Sequence, residues 1–333
     1  MRVLRYTILL IALVLWSGGL SSTVLHGLYD TGIVVDDYRF GDLYRLSALP
    51  QFKETKPVCA SANRSSDTDS THLYIIGDSF SEPERLTQSD FRVSRFQRVA
   101  WDFQQRIQLD STKRNVLLIE SVERHIRDHF FRPIHEFVVQ TDTSKSPTPK
   151  LPLRQRLSNE FHRSDMEERL ESALFSRDWA FWFKELKAKL TLNWFNRESS
   201  GVSLSEDHKS VFLRSDVDTT KTKISSFTHI PDKEITVLVD SINSVVARYK
   251  RLGFDEVYFS MIPNKASIVE PNRGAYNQLI ERVQQHPNLR VSTIDLYDVF
   301  KADRTSPYLK GDTHWTCEGR EQWLNLVRQK ARI

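Results

Sequence analysis

The residues best suited to chemistry stand at opposite ends of the chain. A short apolar run, Leu73-Tyr74-Ile75-Ile76, leads into Gly77-Asp78-Ser79-Phe80-Ser81, and Gly311-Asp312-Thr313-His314-Trp315 lies near the carboxyl terminus. A serine hydroxyl needs a base to become a nucleophile, and the base needs a carboxylate to orient it. Ser79, His314 and Asp312 supply all three groups. Ser79 is preferred over Ser81 because it follows the Gly-Asp turn directly. Each half alone has a plainer reading: Gly-Asp-Ser as an ordinary turn, Asp-x-His as a surface turn or a pair of metal ligands. No third ligand stands at useful spacing, so neither a metal nor a cofactor is expected. Cys317, three residues after His314, is read as structural. The other histidines are scattered singly and are read as surface or structural groups.

These residues need a scaffold that brings them together. Apolar runs at 73–76, 116–119, 257–262 and 291–294 read as buried strands. Ile235, Leu238, Val239, Ile242, Val245, Val246 and Tyr249 follow the helical period between the second and third runs. Tyr276, Leu279, Ile280 and Val283 mark a further helix, and Trp323, Leu324 and Val327 the last. Strands alternating with helices predict an α/β fold with a mainly parallel sheet. Ser79 then stands at the carboxyl edge of that sheet, where open α/β folds place their sites. Two further candidates follow strands at the same edge. Asn264 is a candidate amide donor to an oxyanion, beside the backbone N–H of Ser79. Arg124 is a candidate for a substrate carboxylate, with pairing to Glu123 or Glu120 as the plain alternative.

The blocks Ile76-Gly77-Asp78-Ser79-Phe80 and Asp312-Thr313-His314-Trp315, in this order, resemble the SGNH/GDSL hydrolase superfamily. The usual last block there is Asp-x-x-His, one residue longer. Asp-x-His-Trp followed by Gly319 is similar to the alginate O-acetyltransferase-like group, in which the serine comes after that block rather than before it. In that group a similar second strand ends in a glutamate followed by an arginine; here the second strand is expected to end at Glu120, and Leu118-Ile119-Glu120-Ser121-Val122-Glu123-Arg124 puts acidic and basic groups just past it. The resemblance covers 73–82, 115–124, 257–268 and 308–323. It implies a flavodoxin-like three-layer α/β/α sandwich and a Ser-His-Asp acyl-enzyme mechanism. The implied function is an O-acyltransferase or esterase acting on acetyl esters of an exported polysaccharide. It also implies a multi-spanning membrane protein as acyl donor. The rival is a non-catalytic SGNH-fold binding partner in a polysaccharide-export or modification assembly.

The chain of 333 residues is 39% hydrophobic and 27% charged, enough for a sizeable core. A net charge of +4 over that length gives no strongly basic surface, so nucleic acid is not an expected partner. Arg2 and Arg5 precede an uncharged stretch from Tyr6 to Leu28. That pattern predicts a single-pass anchor in the inner (cell) membrane, or a signal peptide, with an extracytoplasmic or periplasmic body. Cys59 and Cys317 are then either a disulfide or two free thiols. The expected organisation is an anchor or signal over 1–28, a stalk over 29–70 and an SGNH-like domain over 71–333. A helical insertion interrupts that domain at about 130–230. Loops are expected at 61–71 and 141–152, and Ser164 with Glu167 reads as a capping box. Within the insertion, Phe175, Trp179, Trp182, Leu186 and Leu190 share a helical face among Lys184, Lys187 and Lys189. That face reads either as packing on the main domain or as contact with a membrane or partner.

Overall fold

The computed structural model describes residues 2–35, 41, 43–47, 49–55, 57–61, 69–101, 103–132, 134–140, 166–175, 177–195, 198, 201–220, 224–303 and 306–333. The expected loops and the capping box lie wholly or partly outside the described residues. The chain divides into two compact units, Met1–Lys56 with Ser146–Ser199, and Pro57–Lys145 with Ser200–Ile333. The segment expected as an insertion is therefore shared. Residues 146–199 group with the amino-terminal segment, and those from 200 onward belong with the sheet.

The larger unit is built on five parallel strands: β1 (Thr71–Gly77), β2 (Arg95–Ala100), β3 (Arg114–Val122), β4 (Glu256–Ile262) and β5 (Ser292–Ile294). Their order across the sheet is β2-β1-β3-β4-β5. The three central strands are continuous apolar runs because both faces of the sheet are covered. Tyr74, Ile76, Leu117, Ile119, Val257 and Phe259 pack on one side with Ile235, Val239, Ile242 and Tyr249 of the helix Asp232–Arg251. Leu73, Ile75, Val116, Leu118 and Tyr258 pack on the other with Trp323, Leu324 and Val327 of the helix Cys317–Ala331. The alternation follows from the two-residue period of a strand.

Two features differ from the sequence expectation. The edge strand β2, Arg-Phe-Gln-Arg-Val-Ala, carries no apolar run because most of it is only half-buried. β3 runs two residues past Glu120. Its neighbour β4 extends to Ile262, so Ser121 and Val122 keep partners in Met261 and Ile262.

The smaller unit contains the helices Arg2–Leu20, Ser22–Asp30, Met166–Phe175 and Asp178–Phe195. Arg2–Leu20 is long and apolar enough to cross a membrane, and only 11% of its apolar window is buried. Ser21 starts the second helix by accepting a hydrogen bond from the Val24 N–H at 3.2 Å.

Candidate active site

β1 ends at Gly77, and the chain turns at once into a single 3-10 turn, Ser79–Ser81. The glycine is required by space, since a Cβ there would overlap Ser81 Oγ and Glu120 Oε2. Two side chains from the flanking strands hold the turn. Arg98 of β2 donates to the carbonyls of Gly77 (2.8 Å) and Asp78 (2.7 Å). Glu120 of β3 accepts from the Asp78 N–H at 3.0 Å, and Asp78 Oδ2 accepts from the Val122 N–H at 2.7 Å. Ser79 is left half-buried at the carboxyl edge of the sheet.

The opposite wall comes from the chain segment before the last helix. Tyr308 and Trp315 bridge in antiparallel fashion, and the Leu309 N–H donates to the His314 carbonyl at 3.1 Å. Thr316 then caps the helix by accepting from the Gly319 N–H. Within this loop His314 Nδ1 lies 2.6 Å from Asp312 Oδ1, which also accepts from the His314 backbone N–H at 2.8 Å. His314 Nε2 lies 2.8 Å from Ser79 Oγ. An ionised carboxylate only accepts, so Asp312 places the imidazole proton on Nδ1 and leaves the Nε2 lone pair facing the hydroxyl. The Phe80 ring packs against both His314 and Trp315, with centroids 4.7 and 4.8 Å away, and limits rotation of the imidazole.

Ser79, Asp312 and His314 thus form one hydrogen-bonded row. Arg124 and Asn264 are instead tied to each other. Asn264 is fully buried; its amide N–H donates to Ser226 Oγ at 2.9 Å, and its oxygen accepts from the Arg124 N–H at 3.3 Å. The Arg124 guanidinium pairs with Asp216 at 3.4 Å rather than with Glu120 or Glu123. Glu123 accepts from the Asn264 N–H at 2.8 Å and from Ser267 Oγ. In this arrangement Asn264 and Arg124 belong to a buried lattice joining β3 to the segment after β4. One N–H of the amide expected to meet an oxyanion is given to Ser226.

Lys265 is the residue that sequence reasoning passed over. Its side chain is 2% exposed, and Nζ donates to the carbonyls of Val211 (2.9 Å), Leu309 (2.6 Å), Lys310 (2.7 Å) and Asp312 (3.3 Å). The ammonium therefore fixes the backbone that carries Asp312. Its one sequence signal is its place directly after Pro263-Asn264, at the end of a buried strand. Cys317, at the start of the last helix, is joined to Cys59 by a disulfide.

Several buried groups have displaced pKa values. Burial, and then the nearby Asp78 charge, pushes Glu120 up to about 8. Burial also raises Asp78 to about 6 and Glu123 to about 7. His125 is lowered to about 4 and His129 to about 3, again by burial. His129 is held neutral between the Trp101 ring, stacked 3.9 Å away, and Ser121 Oγ at 2.9 Å.

These shifts set the pH dependence of stability. A carboxyl with a raised folded pKa keeps a proton that the unfolded chain has lost, so stability falls as pH rises towards the folded value. The two histidines act oppositely, because the unfolded chain takes up their protons first as pH falls below 6.5. The three carboxyls outweigh the two histidines, so stability should decline as pH rises from about 5. Between pH 6.5 and 8 it should fall by about 2 kcal/mol, chiefly through Glu120. Thermal midpoints in detergent at pH 6.5 and 8 measure this. Glu120→Gln should remove most of the alkaline fall, and equal wild-type midpoints would contradict the assignment.

No family model, curated protein or solved structure matches this chain.

Proposed function

We propose that the protein is a membrane-anchored, extracytoplasmic SGNH-type O-acyltransferase or esterase acting on acetyl esters of an exported polysaccharide. The observation that carries this reading is the row Ser79 Oγ, His314 Nε2 and Nδ1, Asp312 Oδ1, with separations of 2.8 and 2.6 Å. As Ser79 Oγ attacks the ester carbonyl, its proton passes to His314 Nε2. The tetrahedral adduct collapses, the ester's alcohol leaves, and it takes that proton from His314. A sugar hydroxyl or water then attacks the acyl-serine, its proton passing to His314 and returning to Ser79 as the Oγ–acyl bond breaks. Asp312 stabilises the imidazolium in both halves. The backbone N–H of Ser79, at the start of its turn, is the proposed donor to the oxyanion.

The strand order, 2-1-3-4-5 counted along the sheet strands, supports a flavodoxin-like frame. Arg2 and Arg5 at the start of the apolar helix support an orientation with the amino terminus inside and the body outside. The Cys59–Cys317 disulfide suits an oxidising compartment such as the periplasm. The polysaccharide acceptor and a multi-spanning acyl-donor partner rest on the family resemblance.

The test is exposure of the full chain, in detergent, to a serine-directed fluorophosphonate. The adduct should map to Ser79 and be absent from the Ser79→Ala protein. A wild-type chain that takes up no label would favour the non-catalytic binding partner.

A further inference from the structure

The helix Asp178–Phe195 is apolar on two opposite sides. Phe181 and Ala188 are buried, whereas Trp179, Trp182, Phe183, Leu186 and Trp194 are exposed, Trp179 and Trp194 by 73% and 77%. At about 3.6 residues per turn these five side chains fall in one stripe roughly 120° wide. Lys187 and Lys189, both exposed, flank the stripe on its two sides. Glu185 falls outside it. Exposed apolar patches of this kind on a folded chain mark an interaction surface.

The same compact unit supplies the neighbour that identifies the partner. The helix Met166–Phe175 meets the apolar helix Arg2–Leu20 at its carboxyl end. Arg169 Nε donates to the Gly19 carbonyl at 2.9 Å. The Leu170 side chain approaches Gly19 so closely that a Cβ there would overlap it. A helix able to span a membrane leaves the hydrocarbon at its ends, and Asp178–Phe195 begins three residues after the helix docked on one such end. Tryptophan suits that depth, with an apolar ring and one N–H for the headgroup region. Lysine stems can lie along the acyl boundary while their ammonium groups reach lipid phosphates.

We propose that Asp178–Phe195 is an interfacial helix that lies in the headgroup layer of an anionic membrane, with Trp179, Trp182 and Trp194 inserted, beside the end of the spanning helix. This inference is independent of the chemistry assigned to Ser79.

The test uses the full chain reconstituted in vesicles of phosphatidylethanolamine and phosphatidylglycerol. A nitroxide is attached at Trp182→Cys or Trp194→Cys, with Val237→Cys as a water-facing control, since Val237 is 60% exposed on the helix Asp232–Arg251 of the sheet unit. Collision rates with oxygen and with a water-soluble nickel chelate are compared. An oxygen-to-nickel ratio several-fold above the control at both sites is expected. A ratio equal to the control places the helix in water and overturns the proposal. Exclusion of both reagents also overturns it, because a second copy or another protein would then cover the stripe. A measurement without new cysteines backs this up. Lipids brominated near the headgroup should quench much less tryptophan emission in the Trp179→Phe, Trp182→Phe, Trp194→Phe chain than in wild type. An unchanged quenched fraction would leave Trp16 as its source and overturn the proposal.

Discussion

Ser79→Ala protein should lose turnover of an acetyl-ester reporter while keeping its far-ultraviolet circular dichroism and its thermal midpoint. The side chain is half-buried and its hydroxyl meets His314, so removing one oxygen leaves the turn clamped by Arg98 and Glu120. Asp312→Asn should be nearly as damaging, by about 10⁴-fold, the loss known for this change in a serine-protease triad. The reason is tautomeric. An amide N–H in place of Asp312 Oδ1 would face Nδ1, drive the imidazole proton to Nε2 and remove the acceptor that lies 2.8 Å from Ser79. Steady-state kinetics of both variants, with wild type alongside, is the measurement. Full turnover in either one removes the proposed mechanism.

Replacing Lys265 with methionine should cost about 3–5 kcal/mol of stability and lower the turnover number with little change in KM. Methionine fills nearly the same volume but donates nothing. It leaves the carbonyls of Val211, Leu309 and Lys310 without the ammonium that now meets them at 2.6–2.9 Å. Each buried acceptor stranded in this way costs about 1–3 kcal/mol. The link to turnover is the fourth bond, to the Asp312 carbonyl, because a loosened loop no longer fixes the carboxylate that orients His314. Lys265→Arg should not rescue, since a planar guanidinium cannot direct three donors to carbonyls arranged around one nitrogen. A denaturant midpoint equal to wild type would mean that the loop does not depend on the ammonium.

The legibility of each element in the sequence follows from the physics that shapes it. The central strands are legible because burial on both faces demands unbroken apolar runs such as Val116-Leu117-Leu118-Ile119. The helix Asp232–Arg251 is legible because one face is buried and the other wet. β2 is not, since an edge strand that is half-exposed accepts Arg95, Gln97 and Arg98 without penalty. Ser79, Asp312 and His314 stand in short blocks whose residue types alone suggest a role. Lys265, Arg98 and Glu120 act through distant backbone, and in a sequence each reads as a solvated charge. The same limit applies to Asn264. Its residue type suits an oxyanion donor, but only the fold shows that Ser226 takes one of its N–H groups and that its oxygen accepts from Arg124.

The disulfide has a consequence for timing. Cys59 and Cys317 are separated by 258 positions, and Cys317 opens the final helix. At roughly 5–20 residues per second of synthesis, about 10–50 s pass between the appearance of one sulfur and the other. His314 arrives only at the end of that interval, so Ser79 is made long before its hydrogen-bond partner. On the proposed mechanism, a nascent or truncated chain that lacks His314 would carry Ser79 without the imidazole that its hydroxyl meets. Because Cys317 follows His314 in the chain, the disulfide is a covalent record that every residue of the row has been made.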